Sequence, residues 1–147
     1  MPNHYQNHEF EALRCRFEDQ TELLYRLTLI DLRIFSGYIT LQLALAAWIS
    51  IHRSEIEIPT MRAGLLVIDL ALAVVAAALL YNNYKRRKEV TGTVKNCNEA
   101  LGYNDSGVYL DERPLNAPTK FRPWAGWYYL GIIVSVVGVA MVLFGTS

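Results

Sequence analysis

Very few residues of this chain combine reactive side chains with a setting that could use them. The sharpest is Asp69. It is the one charge in residues 63 to 84, AGLLVIDLALAVVAAALLYNNY. An ionised acid among such neighbours is costly unless it faces water or a cation, so its default reading is functional. Lining a pore or an aqueous cavity would give it that surrounding, and a ring of such acids in an oligomer favours cations. The structural reading is a protonated or hydrogen-bonded acid that ties helices together, with Arg62 or His52 close by. Gln42 is the second polar group in an apolar stretch, and an amide at that depth needs a partner on another helix. Asp69 and Gln42 are therefore the candidates for a pore or gate.

The other reactive feature is the run Lys85-Arg86-Arg87-Lys88. Its ordinary roles are to orient the chain and to meet lipid head groups. Assembled around a symmetry axis and joined by Lys95, the same cations form a belt for a polyanion, with nucleic acid the obvious class. Tyr81, Tyr84 and Tyr103 lie nearby in sequence and offer faces for stacking bases. The formal net charge is zero, so a whole-chain charge argument for nucleic acid fails.

Catalytic and metal-binding patterns are missing. The chain has no glycine-rich phosphate loop, HExxH, paired-cysteine motif or G-x-S-x-G. His4, His8 and His52 are scattered, and Cys15 and Cys97 are distant from one another, so free thiols are expected. No enzyme, cofactor or metal site is predicted. The first thirty residues carry acids and no apolar core, so no signal peptide is predicted.

The elements that hold these groups follow from periodicity. The apolar fraction is 52%, concentrated in blocks. At 1.5 Å per residue, a helix over 63 to 84 crosses a hydrocarbon core of about 30 Å. Residues 34 to 51, IFSGYITLQLALAAWISI, form a first span with Trp48 near its outer end. The connection 52 to 62 is punctuated by Pro59, and its shortness makes the two spans a hairpin. Before the hairpin, residues 5 to 33 read as an amphipathic helix. Phe10, Leu13, Phe17, Gln20, Leu24, Leu27, Asp31 and Ile34 fall on one seam. This seam packs on the chain's own second cytoplasmic helix or meets its copies around an axis; Phe10, Leu13, Phe17, Gln20 and Leu24 are the candidate oligomer seam. With no breaker between them, this helix and the first span are expected to form one rod.

After the second span, Val90, Val94, Cys97 and Leu101 mark a second cytoplasmic helix over 86 to 101, weakened by Gly92 and ended by Gly102. Residues 103 to 122 read as a loop, with a brief extended piece at Val108 to Leu110. A third span starts at Pro123 or Trp124. Trp124, Trp127, Tyr128 and Tyr129 form its aromatic belt. Gly131, Ser135, Gly138, Val142 and Gly145 give it a face of small residues, as Ala73 and Ala77 do for the second span.

The predicted fold is thus all-α and integral to the membrane. Its parts are a cytoplasmic helix (1–33), a transmembrane hairpin (34–84), a basic helix and loop (85–122) and a third span (123–147). Lys and Arg number four before the first span, two in the 52 to 62 connection and eight after the second span. The positive-inside rule then sets the N-terminus in the cytoplasm and the C-terminus outside.

A cytoplasmic helix, a membrane hairpin, and a basic helix that begins with Lys85-Arg86-Arg87 and ends in Asn98-Glu99-Ala100-Leu101-Gly102 resemble the SLATT group. These are small bacterial membrane effectors that accompany nucleotidyltransferase genes in anti-phage defence. The likeness covers residues 5 to 102 and is strongest to the membrane effector of the Hailong system; the third span departs from the two-span pattern. The resemblance implies a homo-oligomer, a tetramer, in the bacterial inner membrane, forming a gated channel whose opening depolarises the cell and arrests growth. It further implies a single-stranded DNA oligomer or nucleotide messenger, made by a partner nucleotidyltransferase, that holds the channel closed at Lys85, Arg86, Arg87, Lys88 and Lys95. The alternatives are an accessory or structural subunit of a larger membrane complex and, less well supported without an internal repeat, a small transporter.

Overall fold

Residues 4 to 51 contain no proline, and a helix, α1, runs unbroken over His4–Ile51. The computed structural model describes residues 4–116 and 125–145, with side chains from His8 onward. A short 3₁₀ turn, Glu55–Glu57, follows, and then α2 over Pro59–Ala100. Proline suits the first position of a helix, where its missing N–H would have no partner anyway. The helix therefore begins before the apolar stretch itself. The third helix, α3, is Ala125–Phe144. All three are long and apolar enough to cross a membrane.

Two expectations are corrected. The basic helix expected over 86 to 101 is not a separate element, because α2 continues through Tyr84 and Lys85 without a break. The single Gly92 costs a helix about 1 kcal/mol relative to alanine, too little to interrupt good helix formers on either side. The extended piece expected at Val108 to Leu110 does not form, and there is no strand among the described residues. Gly107, at φ 86°, donates its N–H to the Leu110 carbonyl at 2.8 Å and curls these residues into a turn. The expected start of the third span at Pro123 or Trp124 lies outside the described residues. So do Lys120, Arg122 and the His4 side chain.

The chain divides into two compact units: Met1–Leu29 with Lys85–Arg122, and Ile30–Tyr84 with Pro123–Ser147. In the first, the end of α2 is closed by Gly102. The Gly102 N–H donates to the Glu99 carbonyl at 3.1 Å and the Tyr103 N–H to Asn98 at 3.0 Å. This termination needs a left-handed residue, and Gly102 sits at φ 72°. Tyr103 then meets Phe17 edge to face at 5.9 Å and Tyr109 at 5.3 Å, while the Tyr109 hydroxyl donates to the Leu101 carbonyl at 2.9 Å.

In the second unit, α1, α2 and α3 pack around two apolar clusters. One gathers Tyr38, Ala73, Ala76, Leu80 and Ile132, the other Ile49, Ile56, Val139 and Leu143. Gly131 lets the Phe35 ring approach so closely that a Cβ there would lie 2.7 Å from it. Part of the small-residue face of α3 is thus used within the chain, while a Cβ at Gly138 of the same face would meet nothing within 4 Å among the described residues.

The polarity of this unit is the reverse of a water-soluble core. Leu43, Val74 and Met141 are each more than 65% exposed, while Asp31, Gln42 and Asp69 are buried. Exposed polar side chains such as Thr40 and Ser50 return their hydroxyls to the carbonyls of Ser36 and Ala46. Apolar outside and hydrogen-bonded polar inside is what a lipid solvent requires. The chain is an all-α membrane protein.

Candidate functional site: a buried acid–amide pair and a basic helix face

Gln42 and Asp69 face each other because α1 and α2 fold back on one another. The Gln42 amide donates to Asp69 Oδ1 at 2.5 Å. Asp69 is 0% exposed and Gln42 3%. The pair is enclosed by its own protomer. Arg62 and His52, the neighbours expected for Asp69, bond elsewhere. Arg62 donates to the Ile56 carbonyl at 2.9 Å, and the His52 ring lies 3.1 Å from the Trp48 carbonyl. Arg53 donates to the Gly145 carbonyl, where a cation suits the C-terminal end of α3.

A second acid–amide pair lies on the same two helices with the roles exchanged. Asn83 on α2 donates to Asp31 on α1 at 2.5 Å. A pocket of about 10 Å³, room for one water, lies beside Asp31 among Leu80, Tyr84, Ala125, Tyr128 and Tyr129. Between the two pairs, the Tyr38 and Ser135 hydroxyls lie 3.0 Å apart, and Ser135 is 2.8 Å from the Ile132 carbonyl. Sequence reasoning singled out Asp31 and Ser135 but neither Asn83 nor Tyr38. The signal was available. A hairpin presents its arms in mirror order, so Asp31 on one arm points to the polar Asn82-Asn83 step on the other.

The basic run lies in the first unit. Lys85, Arg86, Lys88 and Lys95 are exposed, whereas Arg87 is buried and donates to Thr28 Oγ1. The helical period explains the split. Arg87 shares its face with Val90, Cys97 and Leu101, all buried. Lys85, Lys88 and Lys95 fall on the opposite face, with Gly92 between them and open space where its side chain would be. Lys95 lies 3.7 Å from Glu99, an exposed pair that holds little energy. Tyr103 is engaged by Phe17 and Tyr109. Tyr81 is 50% exposed.

Of the amphipathic seam, Leu13, Phe17, Gln20 and Leu24 are half-buried within the protomer and Phe10 is exposed. Among the described residues, no group of three His, Cys, Asp or Glu could hold a metal ion. Cys15 is exposed and Cys97 buried, both as free thiols.

One face of α2 thus carries the exposed cations Lys85, Lys88 and Lys95, and a hydrogen-bonded acid–amide pair is sealed between α1 and α2. In comparisons with protein-family models, curated proteins and solved structures, nothing matches this chain.

Proposed function

We propose that the chain is the subunit of a non-enzymatic, oligomeric membrane channel, with its N-terminus in the cytoplasm and its C-terminus outside. It sits in a bacterial inner membrane as an anti-phage effector of the kind that the SLATT resemblance implies. A nucleic-acid ligand on the cytoplasmic basic face holds it closed, and loss of that ligand opens it, depolarises the membrane and arrests growth. One observation carries this reading: the exposed cations Lys85, Lys88 and Lys95 stand on the same unbroken helix, α2, as the sealed Asp69. A ligand shifts such a helix between two arrangements only by binding one of them better. Asp69 and Gln42 then act as a gate element that responds when α1 and α2 separate.

A shallow apolar furrow of about 320 Å³ between α2 and α3, bordered by Leu70, Val74, Ile133 and Val137, favours a second reading: docking within a larger membrane complex. Expression alone separates the two. A channel effector arrests growth and collapses the membrane potential when produced without its partner nucleotidyltransferase, and it purifies as a homo-oligomer. A docking subunit is harmless and co-purifies with a different membrane protein. A harmless monomer contradicts both.

A further inference from the structure

We propose that Asp69 and Gln42 together form a proton-binding site shared between α1 and α2, with the proton carried on Asp69 Oδ2 and donated to Gln42 Oε1. The hydrogen-bond inventory carries this. Gln42 already donates to Asp69 Oδ1 at 2.5 Å. The remaining oxygen of each group, Asp69 Oδ2 and Gln42 Oε1, is buried and has no hydrogen-bond partner among the described residues. An ionised carboxylate only accepts, so it leaves both oxygens unsatisfied. One proton removes both deficits, because a carboxylic acid and a carboxamide are planar groups that close a ring of two hydrogen bonds. Turning the amide over does not help, since it sets oxygen against oxygen and still calls for a hydrogen. A metal cation needs several more oxygens than these two supply.

Among the described residues, the surroundings contain no charge that would replace the proton. On α1 the titratable group nearest this level is Tyr38, one turn from Gln42, and its hydroxyl lies 3.0 Å from Ser135. Asp69 is the only ionisable residue of α2 between Arg62 and Tyr81, and α3 has none beyond Tyr129. At the hairpin end, His52, Arg53 and Arg62 are engaged with the carbonyls of Trp48, Gly145 and Ile56, and Glu55 and Glu57 are exposed. The site is therefore coupled to helix separation. Drawing α1 from α2 here opens the ring and lets water reach Asp69.

This inference stands whether or not the chain conducts ions, because it can be read on the purified protein. Infrared spectra of detergent-solubilised protein carrying ¹³C-aspartate are expected to contain an isotope-shifted protonated-carboxyl C=O band at neutral pH. The band persists in Asp31→Asn, disappears in Asp69→Asn, and moves to higher frequency in Gln42→Leu, where its hydrogen-bond acceptor is gone. If Asp69→Asn does not fold, the Asp31→Asn and Gln42→Leu spectra decide. A protonated-carboxyl band that is absent, or one that Gln42→Leu leaves unmoved, overturns the assignment.

Discussion

Gln42 on α1 and Asp69 on α2 are hydrogen-bonded at 2.5 Å, and neither is more than 3% exposed. Two polar residues in two separate apolar stretches thus satisfy each other across the hairpin. Their energetics should be strongly asymmetric. Gln42→Leu strands a buried acid and is expected to lower stability by about 1–3 kcal/mol. Gln42→Leu with Asp69→Leu removes both partners and is expected to cost less than that single change. Thermal unfolding in detergent across the double-mutant cycle measures the coupling, and strictly additive losses would argue against it.

The approach of Phe35 to Gly131 makes a second prediction. A Cβ at Gly131 would lie 2.7 Å and 2.9 Å from two ring carbons of Phe35. That ring packs against Tyr128 at 4.8 Å, which limits its retreat. Gly131→Ala is expected to destabilise the protomer by about 1–3 kcal/mol through overpacking. Gly138→Ala, with nothing within 4 Å, is expected to leave the protomer's unfolding temperature unchanged or raise it slightly. Equal effects at the two positions would contradict this packing.

The thiols report on orientation and burial together. Cys15 is exposed and Cys97 buried. A membrane-impermeant maleimide is expected to label Cys15 only after the cytoplasmic side is opened, and to label Cys97 only on unfolding. Labelling of Cys15 from outside intact cells would reverse the proposed topology.

Much of this fold was legible because membrane helices advertise themselves: long uncharged runs, interfacial aromatics and a cationic stop define three apolar helices without reference to packing. The continuity of α1 was legible for a related reason, since no proline interrupts it. The unbroken α2 was obscured because Gly92 and the change from apolar to basic residues looked like a boundary, although neither breaks hydrogen bonding. The site was half legible. Asp69 and Gln42 each stood out as polar groups in apolar runs, and mirror order brings them to one level of the hairpin, but their contact also depends on how the two helices are rotated, which residue types do not specify. Asn83 drew no notice because it sits beside Asn82, Tyr84 and the cations, where an amide looks interfacial. The turn at 103–116 depends on specific bonds, such as the Asn116 N–H to the Tyr103 carbonyl at 3.0 Å, that leave no periodic trace.

The basic run should divide by face. Arg87 is buried on Thr28, so Arg87→Ala is expected to lower stability by about 1–3 kcal/mol. Lys85→Ala with Arg86→Ala and Lys88→Ala is expected to leave folding nearly unchanged. The same triple change should weaken single-stranded oligonucleotide binding and reduce its dependence on salt, by about 0.7 in logarithmic slope for each phosphate no longer neutralised. Fluorescence anisotropy over a salt series reads both quantities. An unchanged slope would reduce the run to a topology signal.

Ion conductance of the purified protein in planar bilayers joins the two ends of α2 in one measurement. The proposed channel conducts in the absence of polyanion, closes when single-stranded DNA is added to the side bearing Lys85, Arg86 and Lys88, and stays open under the same addition when these three residues are alanine. A protein that never conducts, or that DNA fails to close, would contradict a ligand-held channel.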